Sequence, residues 1–286
     1  MEVVRHTDPQ RFLDRAAERL AAEEARHNLL LGVIGNALRI PEAYSRIHLW
    51  TVEHGGRVLG TAVLTPPRDL VLGDFDSRET VEMLVLSIRV LFRRLPGVIG
   101  NLPAVEWFVG EWSRVAGANP KLLMSQGVFS LEEVARVPVA RGRHRPAVRH
   151  DRPLLLQWMR DFQREVHPVE TYDEARIART VDMRLGGDPS AAFWLWEDTD
   201  VPVSASGYGG KTLNGIRIGP VYTPPQHRGR GYATSLVAAQ SQWLLDSGYR
   251  FCFLYTDLAN PTSNAVYQRI GYRQVAESAQ YAFTSA

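Results

Sequence analysis

Apolar positions along this chain follow two rhythms, and the same succession of rhythms occurs twice. Apolar side chains three and four apart in "RFLDRAAERL" and "NLLLGVIGNAL" predict helices over 9–26 and 28–38. "HLWTVEHGGRVLGTAVLTP" then alternates on both sides of Gly55-Gly56, the pattern of a hairpin. "DSRETVEMLVLSIRVLFRRLPG" returns to the helical period, with Asp76 as cap and Glu79 placed to close a capping box. A short strand "GVIGNLP", a helix "AVEWFVGEWSRVAG" ending at Gly117 and a strand near 121–130 complete the first series.

The second series has the same order. Helices are expected near 151–164 and 172–185, then a hairpin "AAFWLWEDTDVPVSASGYGG" turning at Asp198–Asp200 and a strand "NGIRIGPVYT". A helix over 231–247 stops at Gly248; Leu236, Trp243 and the pair Val237/Leu244 recur seven apart and predict one buried face. A buried strand "RFCFLYTDL", a short helix "PTSNAVYQRI" ending at Gly271 and a last strand follow. Strands alternating with helices around a mixed sheet, twice over, define an α/β class with two domains, 1–140 and 146–286. Element order repeats and residue identity does not.

Between the series, residues 137–153 contain three prolines and, counting Arg136, six arginines, with little apolar periodicity; they read as a solvated connector. The connector has no interleaved aromatics and the net charge is only +2, which disfavours nucleic acid as a partner. Cys252 is the sole cysteine, so there is no internal disulfide and no cysteine-cluster metal site, and its apolar neighbours make it a buried structural thiol; no metal is expected. The N-terminal twenty residues are charged throughout, unlike a signal peptide, and no apolar run reaches membrane-spanning length. A cytoplasmic protein without membrane contact is the expectation, with a homo-oligomer left open.

The informative stretch is "VYTPPQHRGRGYATSLV", 221–237. It leaves a strand and opens a helix whose buried face holds its first turn in place. A helix N-terminus offers unbonded N–H groups and the positive end of a dipole. Gly229 and Gly231 let a ligand approach the backbone, and Arg228 and Arg230 add charge, so the stretch suits an anion, most simply a diphosphate. It is neither a dinucleotide fingerprint, lacking the third glycine, nor a P-loop, lacking Gly-Lys-Ser/Thr.

Followed by "NPTSNAVYQRIGY", this stretch resembles the GNAT superfamily of N-acetyltransferases over about 190–275. The resemblance implies that Gln226, Arg228, Gly229, Arg230 and Gly231, with the first helical turn Tyr232, Ala233 and Thr234, hold the diphosphate of acetyl-CoA. It implies that Val221, Tyr222 and Thr223 lie on a bulged strand whose backbone binds the pantetheine arm and acetyl carbonyl, and that Asn260 and Ser263 contact the cofactor. Tyr267 would then be the acid that protonates the departing thiolate; a phenol near pKa 10 and a thiol near 8.5 are close enough for the transfer.

At the corresponding places the first series has "VLGDFDS", with two aspartates, and "NLPAVEWF", where Phe108 replaces the tyrosine seven residues after Asn101. That half is expected to keep the architecture without the cofactor site. The implied reaction is acetyl transfer to a primary amine by direct attack in a ternary complex. The strand before the loop carries no acid, so no base is assigned; Glu165, His167, Glu170, His227 and Asp257 are candidates, or water relays the proton. The acceptor, a small molecule or a peptide, is not legible. A non-catalytic acetyl-CoA-binding regulatory or scaffold protein is the alternative, favoured by the missing acid and opposed by Tyr267.

Overall fold

The first series opens on a strand that the apolar rhythm does not announce. In the computed structural model, which describes residues 1–166 and 173–285, β1 (Glu2–His6) lies antiparallel to β2 (His48–His54), Val3 opposite Val52. Five residues with only two apolar ones are too short a run to signal a strand by alternation. Asp8 caps α1 (Pro9–Ala22) by accepting from the N–H groups of Gln10 and Arg11, with Pro9 at the first helical position. α2 (Asn28–Arg39) follows, then β2 and β3 (Arg57–Leu64) joined at Gly55 and Gly56, both at positive φ.

After β4 (Leu70–Leu72), α3 (Arg78–Leu91) starts one residue later than expected. Its cap is Ser77, which exchanges hydrogen bonds with Thr80, and not Asp76 with Glu79. Asp76 is held elsewhere, accepting from Arg19 Nη1 at 2.7 Å. β5 (Gly97–Asn101), α4 (Ala104–Ala116) ending at left-handed Gly117, and β6 (Ala118–Leu131) complete the series.

In the second series β7 (Arg143–Pro146) corrects the reading of 137–153 as a bare connector: it pairs antiparallel with β8 (Ala192–Asp198). Its arginines are matched by acids. Arg145 donates to Glu197 (2.7 Å) and to both oxygens of Asp151 (2.6 and 2.9 Å), and Arg143 donates to Asp200 (2.8 Å). α5 (Arg152–Val166), α6 (Glu174–Arg184), β9 (Val201–Gly209), β10 (Gly215–Tyr222), α7 (Tyr232–Asp246), β11 (Phe251–Asp257), α8 (Pro261–Ile270) and β12 (Arg273–Ser285) follow. The β8–β9 hairpin turns through Thr199 and Asp200, both at positive φ.

By their contacts the residues form two compact units, which interleave relative to the halves 1–140 and 146–286 read from the sequence. The first comprises Met1–Phe129 with 255–261 and 274–285; the second comprises Ser130–Leu254 and Thr262–Arg273. The first has strand order β1-β2-β3-β4-β5-β12-β6, because Ser278–Ala282 of β12 lie antiparallel to Gly97–Asn101 of β5. Its two cores use the alternation of β2 and β3: Leu49 and Val63 pack with Phe12, Leu20 and Ile34, while Trp50 and Ala62 pack with Val81, Leu84, Phe108 and Trp112. The second unit has strand order β11-β10-β9-β8-β7, with β10 and β11 parallel. α5 and α6 cover one sheet face through Leu155, Trp158, Met159, Ile177 and Val181 against Phe193, Leu195 and Ala205.

Where the second series has its glycine loop, the first has Asp74, and the first unit surrounds it with its own cations. Asp74 pairs with Arg26 (2.6 Å) and accepts from Asn101 Nδ2 (2.9 Å); its carbonyl takes Arg19, and its N–H donates to His27 Nε2 (3.2 Å). Burial pushes the Asp74 carboxyl up, but the Arg26 and Asn101 hydrogen bonds and the nearby positive charges outweigh it and hold the group below its usual range. Burial keeps His27 low, consistent with a neutral ring accepting at Nε2. Asp74→Ala is expected to cost about 2 kcal/mol by urea denaturation at pH 7, because it strands Arg26 and Asn101, the two partners of the carboxylate. The carboxylate's contribution is present above its unfolded pKa and is lost as pH falls through the lower folded value. Wild type and variant should therefore converge as pH falls through and below that lowered folded value; a cost under about 0.5 kcal/mol at pH 7 contradicts the account.

Candidate active site

The second unit first fixes a helix start. α7 lies on the sheet face opposite α5 and α6. Gln240 and Ser206, both fully buried, clamp it to β9: the Ser206 hydroxyl donates to Gln240 Oε1 (2.6 Å) and Gln240 Nε2 donates to the Ser206 carbonyl (3.2 Å). Leu236, Val237 and Leu244 are buried as expected. Trp243 is not: it is 41% exposed, lying against the rings of Trp194 (5.2 Å) and Tyr208 (6.0 Å).

β10 is bulged directly before the loop. Ile218 faces Tyr208 and Val221 faces Ser206, so one extra residue is accommodated at Gly219–Pro220, with Gly219 at φ 135°. Val221 and Tyr222 end the strand and Thr223 follows; Ser204 Oγ bonds both the Tyr222 carbonyl (3.2 Å) and Thr223 Oγ1 (2.8 Å). A single 3₁₀ turn, Pro225–His227, places Gln226 on the surface, and the chain then passes through Gly229 (φ 75°) and Gly231 (φ 80°) into α7. Both conformations strain any side-chain-bearing residue. A Cβ on Gly229 would meet nothing within 4 Å, so the glycine leaves open space in front of the backbone.

Gly231 is the N-cap and supplies no side-chain acceptor. Among the described residues nothing accepts from the N–H groups of Tyr232, Ala233 and Thr234. An uncapped N-terminus on a clamped helix, opening on bare backbone, presents several donors and a dipole to an anion. Arg230 is exposed beside it. Tyr232 turns inward, its hydroxyl donating to Asp198 Oδ2 (2.6 Å), and this bond, with Arg141 and Arg230 adding, holds Asp198 below the usual carboxylate range.

Arg228 is engaged within the unit. Its Nη2 donates to both oxygens of Glu165 (2.7 Å each), its Nε donates to the Thr223 carbonyl (2.8 Å), and the guanidinium lies 5.9 Å from the Tyr222 ring. Glu165 is therefore an ion-paired clasp between α5 and the loop rather than a free base. His167 and Glu170 lie outside the described residues. His227 is half-buried, with Nδ1 unbonded among the described residues. Asp257 shapes the turn before α8: its Oδ1 accepts from Ala259 N (2.8 Å) and its carbonyl from Asn260 N (3.0 Å). That turn, with Asn260, groups with the first unit, while Ser263 and Tyr267 on α8 group with the second.

α8 is held by Ile270 and Tyr272, both buried, and by Gly271, where a Cβ would come within 2.9 Å of the Glu133 carbonyl. Tyr267 is half-buried, edge-on to Tyr272 at 6.1 Å, and its hydroxyl has no hydrogen-bond partner among the described residues. Burial pushes the phenol up to about 12, so it stays protonated across the neutral range. Cys252 is buried, with its thiol raised to about 12 by burial, so it is no nucleophile. Among the described residues no three His, Cys, Asp or Glu side chains are grouped to hold a metal, and no helix is long and apolar enough to cross a membrane.

One residue of this neighbourhood has no signal in the sequence. Arg184, the last residue of α6, lays its guanidinium over the Phe193 ring (4.9 Å) and donates from Nη2 to the carbonyl of Gly219 in the bulge (2.9 Å). An arginine closing a helix reads as surface.

A model of the acetyltransferase (GNAT) family matches residues 152–272. Among solved structures, a Drosophila protein superposes with a TM-score of 0.68 at 14% identity over 98% of each chain. A GCN5-related N-acetyltransferase from Sphaerobacter thermophilus gives 0.61 at 18% identity, over 98% of this chain and 94% of its own. A tandem GNAT protein from the clavulanic acid biosynthesis pathway gives 0.57 at 17% identity, over 98% and 97%. At these identities the likeness is one of fold. No curated protein matches the sequence.

Proposed function

Because a model of the GNAT acetyltransferase family matches residues 152–272, we propose that the chain transfers the acetyl group of acetyl-CoA to a primary amine, using a site built by the second unit. The observation that carries this reading is the uncapped start of α7 behind Gly229 and Gly231, immediately after a bulged strand. The cofactor would supply an activated acyl group, and the chain's own residues do the rest. The N–H groups of Tyr232, Ala233 and Thr234, with Arg230, bind the diphosphate. Backbone at Val221, beside the bulge, would orient the pantetheine arm and polarise the acetyl carbonyl. Ser263, on α8 of the same unit, is a further cofactor contact.

Tyr267 holds a proton toward the leaving sulfur. A phenol near 12 facing a thiol near 8.5 cannot hand over its proton cheaply, since about 3.5 pKa units is roughly 5 kcal/mol. Its role is therefore a hydrogen bond that strengthens as thiolate charge develops, and not a completed transfer in advance. β10 carries no carboxylate, and Glu165 is clasped by Arg228, so among the described residues water or His227 is the route for the amine's proton. The first unit, with Asp74 standing where the loop glycines would be, binds no second cofactor.

The same lack of a carboxylate favours a second reading, a regulatory protein that binds acetyl-CoA without turnover. Release of free CoA on incubation with a panel of primary amines tests the choice. Amine-dependent release above the hydrolytic background supports transfer; binding of acetyl-CoA with no release from any amine supports the alternative.

The clasp gives a further expected result. Glu165→Gln frees Arg228 for the diphosphate and should tighten acetyl-CoA binding about threefold at low salt, with the gain shrinking as salt is added. Isothermal titration at two ionic strengths checks this, and weaker binding would mean that the pair is needed to shape the loop.

A further inference from the structure

The buried polar groups of the second unit contain one unresolved charge. Arg184 Nη2 is used by the Gly219 carbonyl, but Nε and Nη1 are buried with no hydrogen-bond acceptor among the described residues. Buried guanidinium nitrogens are ordinarily paired. The neighbourhood is built around the group: the guanidinium carbon stands over the Phe193 ring, 4.9 Å from its centroid, and a Cβ on Gly207 would stand 3.0 Å from Nη1. Gly209, the next residue on that face of β9, would bring a Cβ to 3.8 Å from Nε, and it lies opposite Arg217 of β10, whose charge also acts on Arg184. Two cations thus share a strip of β9 and β10 where glycines make room for the guanidinium groups, and the strip ends at the bulge. Burial and then Arg217 pull the Arg184 guanidinium down to about 10, as expected for an arginine lacking a counter-charge.

We propose that Arg184 is the anchor for a carboxylate on the acceptor, so that the amine substrate of this site is an amino acid or another amine bearing a carboxylate. This rests on the acetyl-transfer reading above. The unspent Nε–H and Nη1–H leave different edges of the guanidinium, and either can donate a charge-assisted hydrogen bond to a carboxylate oxygen. Attached at the bulge through Gly219, Arg184 sets that carboxylate a short distance from the backbone assigned to the acetyl carbonyl. No proton moves at Arg184; it binds and orients.

The test uses the full chain and two readouts. In the first, acetyl-CoA turnover is compared for glycine, alanine and glutamate against glycinamide, alaninamide and isoglutamine, which lack the α-carboxylate. At least one carboxylate acceptor should exceed its amide by 30-fold or more in kcat/KM. Arg184→Gln should abolish that preference while leaving the acetyl-CoA Kd within threefold of wild type, and Arg184→Lys should restore part of it. In the second readout, which needs no turnover, N-acetylglycine should raise Tm more than N-acetylglycinamide in the wild type and equally in Arg184→Gln. Equal turnover of acids and amides, equal Tm shifts in the wild type, or a preference that survives Arg184→Gln would overturn the proposal. Failure of acetyl-CoA itself to bind would instead remove the acetyl-transfer reading, and the N-acetylglycine comparison would still decide the Arg184 site.

Discussion

Tyr267→Phe is expected to bind acetyl-CoA as the wild type does and to turn it over about 100-fold more slowly, the low end of the range for a positioned acid. The substitution removes one oxygen from a ring already edge-on to Tyr272 and leaves the packing of α8 intact. No residue depends on that hydroxyl for a hydrogen bond among the described residues, so the loss falls on the reaction and not on the fold. The sign with pH is also fixed. A phenol raised to about 12 stays protonated through the assay range, so the wild type should show no alkaline loss from this group below about pH 11. If Tyr267 instead donated from an ordinary phenol, kcat would fall with a midpoint near 10. An unchanged kcat in the Phe variant would remove Tyr267 from the mechanism. Stopped turnover with weakened acetyl-CoA binding would make it a binding residue.

The second large effect is expected at the glycine loop. Gly229→Glu with Arg230→Ala should weaken acetyl-CoA binding by 100-fold or more. The change places a carboxylate at the helix start, removes a cation and imposes a side chain at φ 75°. The fold should survive, because nothing lies within 4 Å of a Cβ at Gly229 and Arg230 is exposed; an unchanged far-UV spectrum and a cooperative melt with a modestly lowered Tm would separate lost binding from lost structure. Retention of wild-type affinity would mean that the uncapped N–H groups of α7 are not the diphosphate site.

Much of this was legible before any coordinates. The hairpin turn at Asp198–Asp200, the helix stop at Gly117 and the strand–loop–helix around "QHRGRG" are local events, set by glycines, aspartates and short-range periodicity, and they appear where expected. The departures share a cause in partners distant in the sequence. Arg145 looks solvated until Glu197 and Asp151 come into reach. Asp76 looks like a cap until Arg19 claims it. β12 appears to close the second domain, yet its residues pair with Gly97–Asn101. Arg184 is the extreme case. Nothing in "VDMRLGG" marks its guanidinium as buried; its surroundings are set by Gly207, Gly209 and Gly219 on two other strands.

The most direct test is an isothermal titration of the full chain with acetyl-CoA, read for stoichiometry. The account predicts saturable binding at one site per chain, since Asp74 and its cations occupy the counterpart position in the first unit. Two sites per chain would contradict the silence of that unit, and no binding would contradict the acetyl-CoA site altogether.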